Sequence, residues 1–164
     1  CVDMIALARF CKTGSSYKRA ARLSEAPDHV DCSSFMQWLY SICGIEIPRR
    51  AIQQREFGKA VDLGNIQKGD LVFASGKRDR YMTDSSDGVG HISIATGEGT
   101  VIHAMSKYRG VTESPIEPII ASPTKFRGVR GIVEDWNDLV VLKTPERRDV
   151  LTGDDVKWIV LQHL

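Results

Sequence analysis

The chain has 164 residues, with 22 Lys plus Arg against 21 Asp plus Glu and a formal net charge of +1. At roughly 150 residues per domain this is one domain, large enough to build its own core without disulfide staples. The balanced charge removes any bulk electrostatic case for nucleic acid or an anionic membrane, and no apolar run reaches the roughly 18 residues of a membrane span.

In chain order, Val2 to Lys12 carries apolar residues at Met4, Ile5, Ala6, Leu7, Ala8 and Cys11, a spacing that predicts a short helix with a broad buried face. Thr13-Gly14-Ser15-Ser16 ends it. The stretch from Tyr17 to Val30 is polar and irregular, and Pro27 argues against a long helix there. The segment beginning Asp31-Cys32-Ser33-Ser34 is the best helix: Asp31 suits the N-cap, Phe35, Trp38, Leu39 and Ile42 form a stripe, and Gly44 is a natural stop. A further helix is predicted after Pro48.

Beyond Gly64 the pattern changes. Strands are expected at 70–74, 91–96 and 100–104, the last two joined by a hairpin through Gly97-Glu98-Gly99. Residues 76–90 read as an exposed loop or lid, with Lys77-Arg78-Asp79-Arg80 as its solvated tip. Further strands are expected at 126–133 and 139–143, and a final helix capped by Thr152. Helices followed by antiparallel strands predict an α+β fold, with helices packed on an antiparallel sheet. Trp38, Trp136 and Trp158 are expected in the core.

Four cysteines, Cys1, Cys11, Cys32 and Cys43, all fall in the first 43 residues without a CxxC pair. That spacing speaks against structural zinc, and no metal site or cofactor is expected. An even count permits disulfides in an exported protein, but only weakly. The chain lacks an initiator Met and a signal peptide, which reads as trimming. Cys1 as a processed nucleophile or lipid carrier is a weaker alternative, since the helix starts at Val2 with no tether.

Cys32 is the residue of most interest. At a helix N-terminus, unpaired amides and the helix dipole favour a thiolate and can hold an oxyanion. The competing reading is a small buried apolar residue, which is the expectation for Cys43. His91 and His103 flank the predicted hairpin and can share one sheet face. His91 as base and His103 as its orienter would complete a thiol nucleophile's machinery, although spacing alone does not separate this from two ordinary strand histidines. His29 and His163 read as surface residues. Gly88, Gly90, Gly97 and Gly99 read as turn glycines; Arg49-Arg50 after Pro48 could hold a carboxylate, with a solvated charged pair as the default reading.

Together these residues resemble the NlpC family of papain-like cysteine peptidases, many of which cut peptidoglycan stem peptides. The resemblance runs from about Val2 to Val133. It rests on Tyr17, Asp31-Cys32-Ser33-Ser34-Phe35, Ile47-Pro48-Arg49 with Gln54, Gly69-Asp70-Leu71-Val72-Phe73, and His91-Ile92-Ser93-Ile94 through Ile102-His103-Ala104. It implies a papain-like fold with Cys32 as nucleophile, His91 as base and His103 as third catalytic residue. It also implies a pocket for the substrate's free amino end made by Tyr17, Asp31, Ser33 and Arg49, in which Asp31 pairs with the ammonium group.

Two departures bear on that pocket. The family's Gly-Gly after the Tyr reads Arg19-Ala20-Ala21, and Ser34 replaces a Gly, so both are expected to add side chains near the cleft. The domain boundaries that follow are a peptidase domain at 1–133 and an extension at 134–164. The implied function is hydrolysis of a γ-D-glutamyl–diamino acid bond, in an exported or envelope-associated protein. The implied partner is a peptide substrate met by a monomer, with neither nucleic acid nor a membrane span involved. An amidase or acyltransferase using the same three residues, and a catalytically silent binding domain, are the alternatives.

Overall fold

A computed structural model describes residues 3–76 and 88–133. Helix α1 (Met4–Gly14) begins at Asp3, whose carboxylate accepts from the Ile5 and Ala6 amides. It buries Met4, Ile5, Ala8 and Cys11, while Ala6 is exposed, so the buried face is narrower than the composition predicts. The irregular stretch that follows is organised by two short parallel strands, β1 (Ser16–Tyr17) and β2 (His29–Val30). Pairing of Tyr17 with Val30 sets Tyr17 beside the start of the next helix.

That helix, α2 (Cys32–Ile42), is capped as expected: the Asp31 carboxylate accepts from the Ser34 amide at 2.8 Å and the Ser34 hydroxyl accepts from the Asp31 amide at 2.8 Å. Every residue from Ser33 to Ser41 is buried, far more than the predicted stripe. The cause is tertiary. α1 and a third helix, α3 (Ala51–Phe57), pack on α2 from the sides, and the sheet packs beneath it. Burial of Phe35, Leu39 and their like is worth about 1.5–3 kcal/mol each. The Tyr40 hydroxyl, inside this core, donates to the Gly69 carbonyl at 2.6 Å and pins the helix to the sheet. Trp38 and Cys43 are in the core, as expected.

The sheet has six strands: β3 (Lys59–Ala60), β4 (Leu71–Ser75), β5 (Val89–Ala95), β6 (Thr100–Ser106), β7 (Gly110–Pro115) and β8 (Phe126–Gly131). Their order is β3-β8-β4-β5-β6-β7, antiparallel throughout. A four-residue helix, α4 (Glu117–Ile120), links β7 to β8. The hairpin through Gly97 and Gly99 is present, with both glycines at φ near +80° (81° and 79°). The fold is therefore α+β with an antiparallel sheet, as expected. Strands β3 and β7 are additions to the predicted set. Gly90 is not a turn residue but lies within β5, where a Cβ would stand 2.6 Å from the Gly76 Cα.

The Arg9 guanidinium donates to Glu113 at 3.0 Å and so ties α1 to β7. None of the helices among the described residues is long and apolar enough to cross a membrane. The expected loop tip at 77–80, the strand at 139–143, the final helix, and Cys1, Trp136, Trp158 and His163 lie outside the described residues, as does the proposed extension 134–164.

Candidate active site

Cys32 is the first residue of α2, and α2 packs against β5. Its Sγ approaches the Gly90 carbonyl at 4.0 Å, and the Ile92 amide is also directed at the thiol. The sulfur thus sits against the backbone on both sides of His91. The close Gly76–Gly90 approach permits this, because a side chain at 90 would push β5 away from β4.

The register Ile94↔Ile102 between β5 and β6, continued by the two-residue alternation of strands, carries His91 and His103 onto one face. Their rings meet edge to face with centroids 4.9 Å apart, and His91 Nε2 lies 2.7 Å from His103 Nδ1. Beyond it, His103 Nε2 lies 3.1 Å from the Ser114 hydroxyl on β7. Ser114 was not among the predicted residues. Its segment offers only Val111 as a buried apolar residue, so the alternation that reveals a strand is nearly absent.

The protonation states depart from the expectation of a helix-stabilised thiolate. Burial, then the neighbouring Asp31 carboxylate, pushes the Cys32 thiol up to about 11. Burial, then His103, pushes His91 down to about 4. His103 is also lowered, by burial and by the Arg109 guanidinium. Near neutrality the resting site therefore pairs a neutral thiol with neutral imidazoles, because desolvation outweighs the dipole at the helix start. Cys11, Cys32 and Cys43 are all free thiols.

The residues assigned to the amino-end pocket form one cluster. Arg49 is not a solvated residue: its Nη2 pairs with Asp31 Oδ2 at 2.6 Å and donates to the Ala21 carbonyl at 2.7 Å, and its Nη1 donates to the Ser33 hydroxyl at 2.7 Å. Ser33 in turn donates to Asp31 Oδ1 at 3.4 Å. Asp31 thus serves as helix cap and as ion-pair partner at once. Tyr17 is half-buried, its phenol raised by burial and then by Cys32 and Asp31. Arg50 and His29 are exposed. Gln54, wholly buried on α3, donates to the Ser33 carbonyl at 3.0 Å and the Pro48 carbonyl at 2.7 Å, holding the Pro48-Arg49 turn against α2.

The two departures resolve differently. Ser34 is fully buried and turned into the cap, so it adds nothing to the cleft. Ala20 takes the left-handed conformation, φ 56°, that a glycine would adopt without strain.

The NlpC/P60 family model matches residues 14–129, which include the whole arrangement from Tyr17 to Ser114. The chain belongs to the NlpC/P60 family. Among curated relatives of this NlpC/P60 chain, a γ-D-glutamyl-L-lysine dipeptidyl-peptidase of Bacillus cereus is 37% identical over 52% of this chain and 24% of its own length. A peptidoglycan DL-endopeptidase of Bacillus licheniformis is 38% identical over 60% of this chain and 21% of its own. The chain spans about a quarter of these relatives. Among solved structures, an NlpC/P60 family protein from Bacillus cereus superposes with a TM-score of 0.64 at 28% identity, covering 79% of this chain and 39% of that one. RipD of Mycobacterium tuberculosis, described as a non-catalytic NlpC/p60 domain protein, shares the fold with a TM-score of 0.60 at 17% identity, over 80% of this chain and 95% of its own. Catalysis in this family must therefore be argued from side chains and not from the fold.

Proposed function

We propose that this chain is a cysteine peptidase that hydrolyses an amide bond in peptidoglycan stem peptides, between γ-D-glutamate and the following diamino acid. The observation that carries the reading is the alignment of Cys32, against the backbone flanking His91, with a His91–His103 contact of 2.7 Å. The names of the Bacillus relatives support the substrate class.

His91 commits Nε2 to His103, so Nδ1 is the nitrogen that takes the thiol proton. Transfer is coupled to attack: as Sγ bonds to the scissile carbonyl carbon, its proton passes to His91 Nδ1 and the carbonyl oxygen gathers negative charge. The Cys32 amide at the helix start donates to that oxyanion. The His91 imidazolium then protonates the leaving amine, and the C–N bond breaks to give an acyl-enzyme. Water attacks the thioester, His91 accepts its proton, and the acid is released with the thiol restored.

Tyr17, Asp31, Ser33 and Arg49 border the pocket for the amino end of the substrate. In that role the Asp31 carboxylate draws the ammonium group while Arg49 holds the carboxylate in place. Such a substrate corresponds to an exported or envelope-associated enzyme. One chain supplies every one of these groups, so a monomer suffices.

Incubation of wild type and Cys32→Ala with defined stem peptides, with products read by mass, tests the reading. Cleavage on the carboxyl side of γ-D-glutamate by wild type alone is expected. Full turnover by Cys32→Ala overturns it. Transfer of the acyl group to an added amine in preference to water would mark an acyltransferase.

A further inference from the structure

We propose that Ser114 is a positioning residue which, through His103, fixes the tautomer in which His91 can act as a base. The inference rests on the peptidase reading above and adds a residue to it. It follows from counting protons along the chain His91 Nε2, His103 Nδ1, His103 Nε2 and Ser114 Oγ, with contacts of 2.7 Å and 3.1 Å.

A neutral imidazole carries one N–H and one bare nitrogen. The two rings therefore admit only two consistent arrangements. In the first, His91 Nε2–H donates to His103 Nδ1, and His103 Nε2–H donates to the Ser114 hydroxyl. In the second, Ser114 donates to His103 Nε2, His103 Nδ1–H donates to His91 Nε2, and His91 carries its proton on Nδ1.

Only the first leaves His91 Nδ1 bare to receive the proton of Cys32. Only the first also survives the transfer, since the His91 imidazolium then still donates from Nε2 to a bare nitrogen. In the second arrangement two N–H groups would oppose each other. Ser114 is suited to the accepting role because it is only half-buried, so its hydroxyl proton can turn to water. His103, by contrast, is 5% exposed, and its Nε2–H has no such outlet. Without an acceptor at 114 that buried N–H stays unsatisfied, which favours moving the proton to Nδ1 and switching the chain to the unproductive arrangement.

Side-chain 15N NMR of histidine tautomers, combined with kcat and KM across pH, tests this on the full chain. Threonine and valine at 114 share a shape suited to a strand and differ in the hydroxyl. In wild type and Ser114→Thr, His103 is expected to carry its proton on Nε2. In Ser114→Val, a mixture of tautomers, a roughly tenfold lower kcat across the pH plateau and a KM within twofold of wild type are expected. A His103 proton on Nδ1 in wild type overturns the proposal, as does Ser114→Val with wild-type kcat and tautomer. If no stem peptide is cleaved by wild type, the peptidase reading fails while the tautomer readings still decide the role of Ser114.

Discussion

Around Cys32, the strand side buries its polar groups without charge, and the helix-start side buries them as an ion pair. His91, His103 and Ser114 form a neutral hydrogen-bonded chain across β5, β6 and β7, both imidazoles held below their ordinary pKa by burial. Asp31 and Arg49 form an ion pair at 2.6 Å, with Ser33, the Ser34 amide and the Ala21 carbonyl as further hydrogen-bond partners. The contrast separates two tasks. In the proposed reaction the neutral relay takes up a proton, whereas the ion pair holds the backbone of Tyr17 to Cys32 in register.

Breaking the strand side should cost activity and spare the fold. His91→Gln is expected to lower kcat/KM by about 10²–10⁴, the usual worth of a general base, with its melting temperature at pH 7 near that of wild type. Unfolding and turnover measured together would contradict this division if stability collapsed as well.

Breaking the helix side should cost stability. Arg49→Met leaves the Asp31 carboxylate buried without its partner, with side-chain exposures of 13% and 10% for Arg49 and Asp31 in the intact pair. A loss of about 3–5 kcal/mol is expected in denaturant unfolding. A smaller loss than 1 kcal/mol would mean that the pair is not structural.

Acid separates the regions further. His91 titrates at about 4 in the folded chain and near 6.5 when unfolded. Between those values the unfolded chain binds more protons, so stability rises with pH and is lost as pH falls from about 6.5 toward 4. His103 shifts in the same direction. The melting temperature of His91→Gln should therefore fall less over this window than that of wild type. Glu113, held at about 2 first by Arg9 and then by Thr100, acts with the opposite sign: its contribution is present above its unfolded value and disappears at lower pH, as it falls toward about 2. Alkylation gives a related check. With the thiol at about 11, the rate at Cys32 should climb steadily above neutrality; a plateau reached below pH 7 would point to a preformed thiolate.

The smallest effects belong to the periphery. Ala20→Gly relieves a left-handed conformation costing about 1–2 kcal/mol but adds unfolded-state entropy, so a net gain of about 0.5–1 kcal/mol is expected. Glu98→Ala, removing an exposed partner of Arg9, should change stability by about 0.5 kcal/mol or less.

The α2 cap was legible because Asp31 and Ser34 are three residues apart and act through local backbone groups. The hairpin was legible because its two glycines mark the turn. Strand β7 was not, since GVTESP buries little and is held by its neighbour and by Arg9 reaching from α1. Ser114 went unseen with it. Arg49 looked solvated because nothing local indicates that Asp31, far away in sequence, will meet it. The resemblance named Arg49, but the reason for its position is the turn held by Gln54.

By itself, the sequence determined the capped helix that presents Cys32, the strands that carry His91 and His103, and the family to which the chain belongs. These depend on short-range hydrogen bonding and on the alternation of side chains along a strand. Only the tertiary structure decided which polar groups meet and what charge they carry. A thiol at a helix start is biased toward ionisation by its own helix, but the packing of β5 against it removes water, and desolvation then holds both Cys32 and His91 neutral.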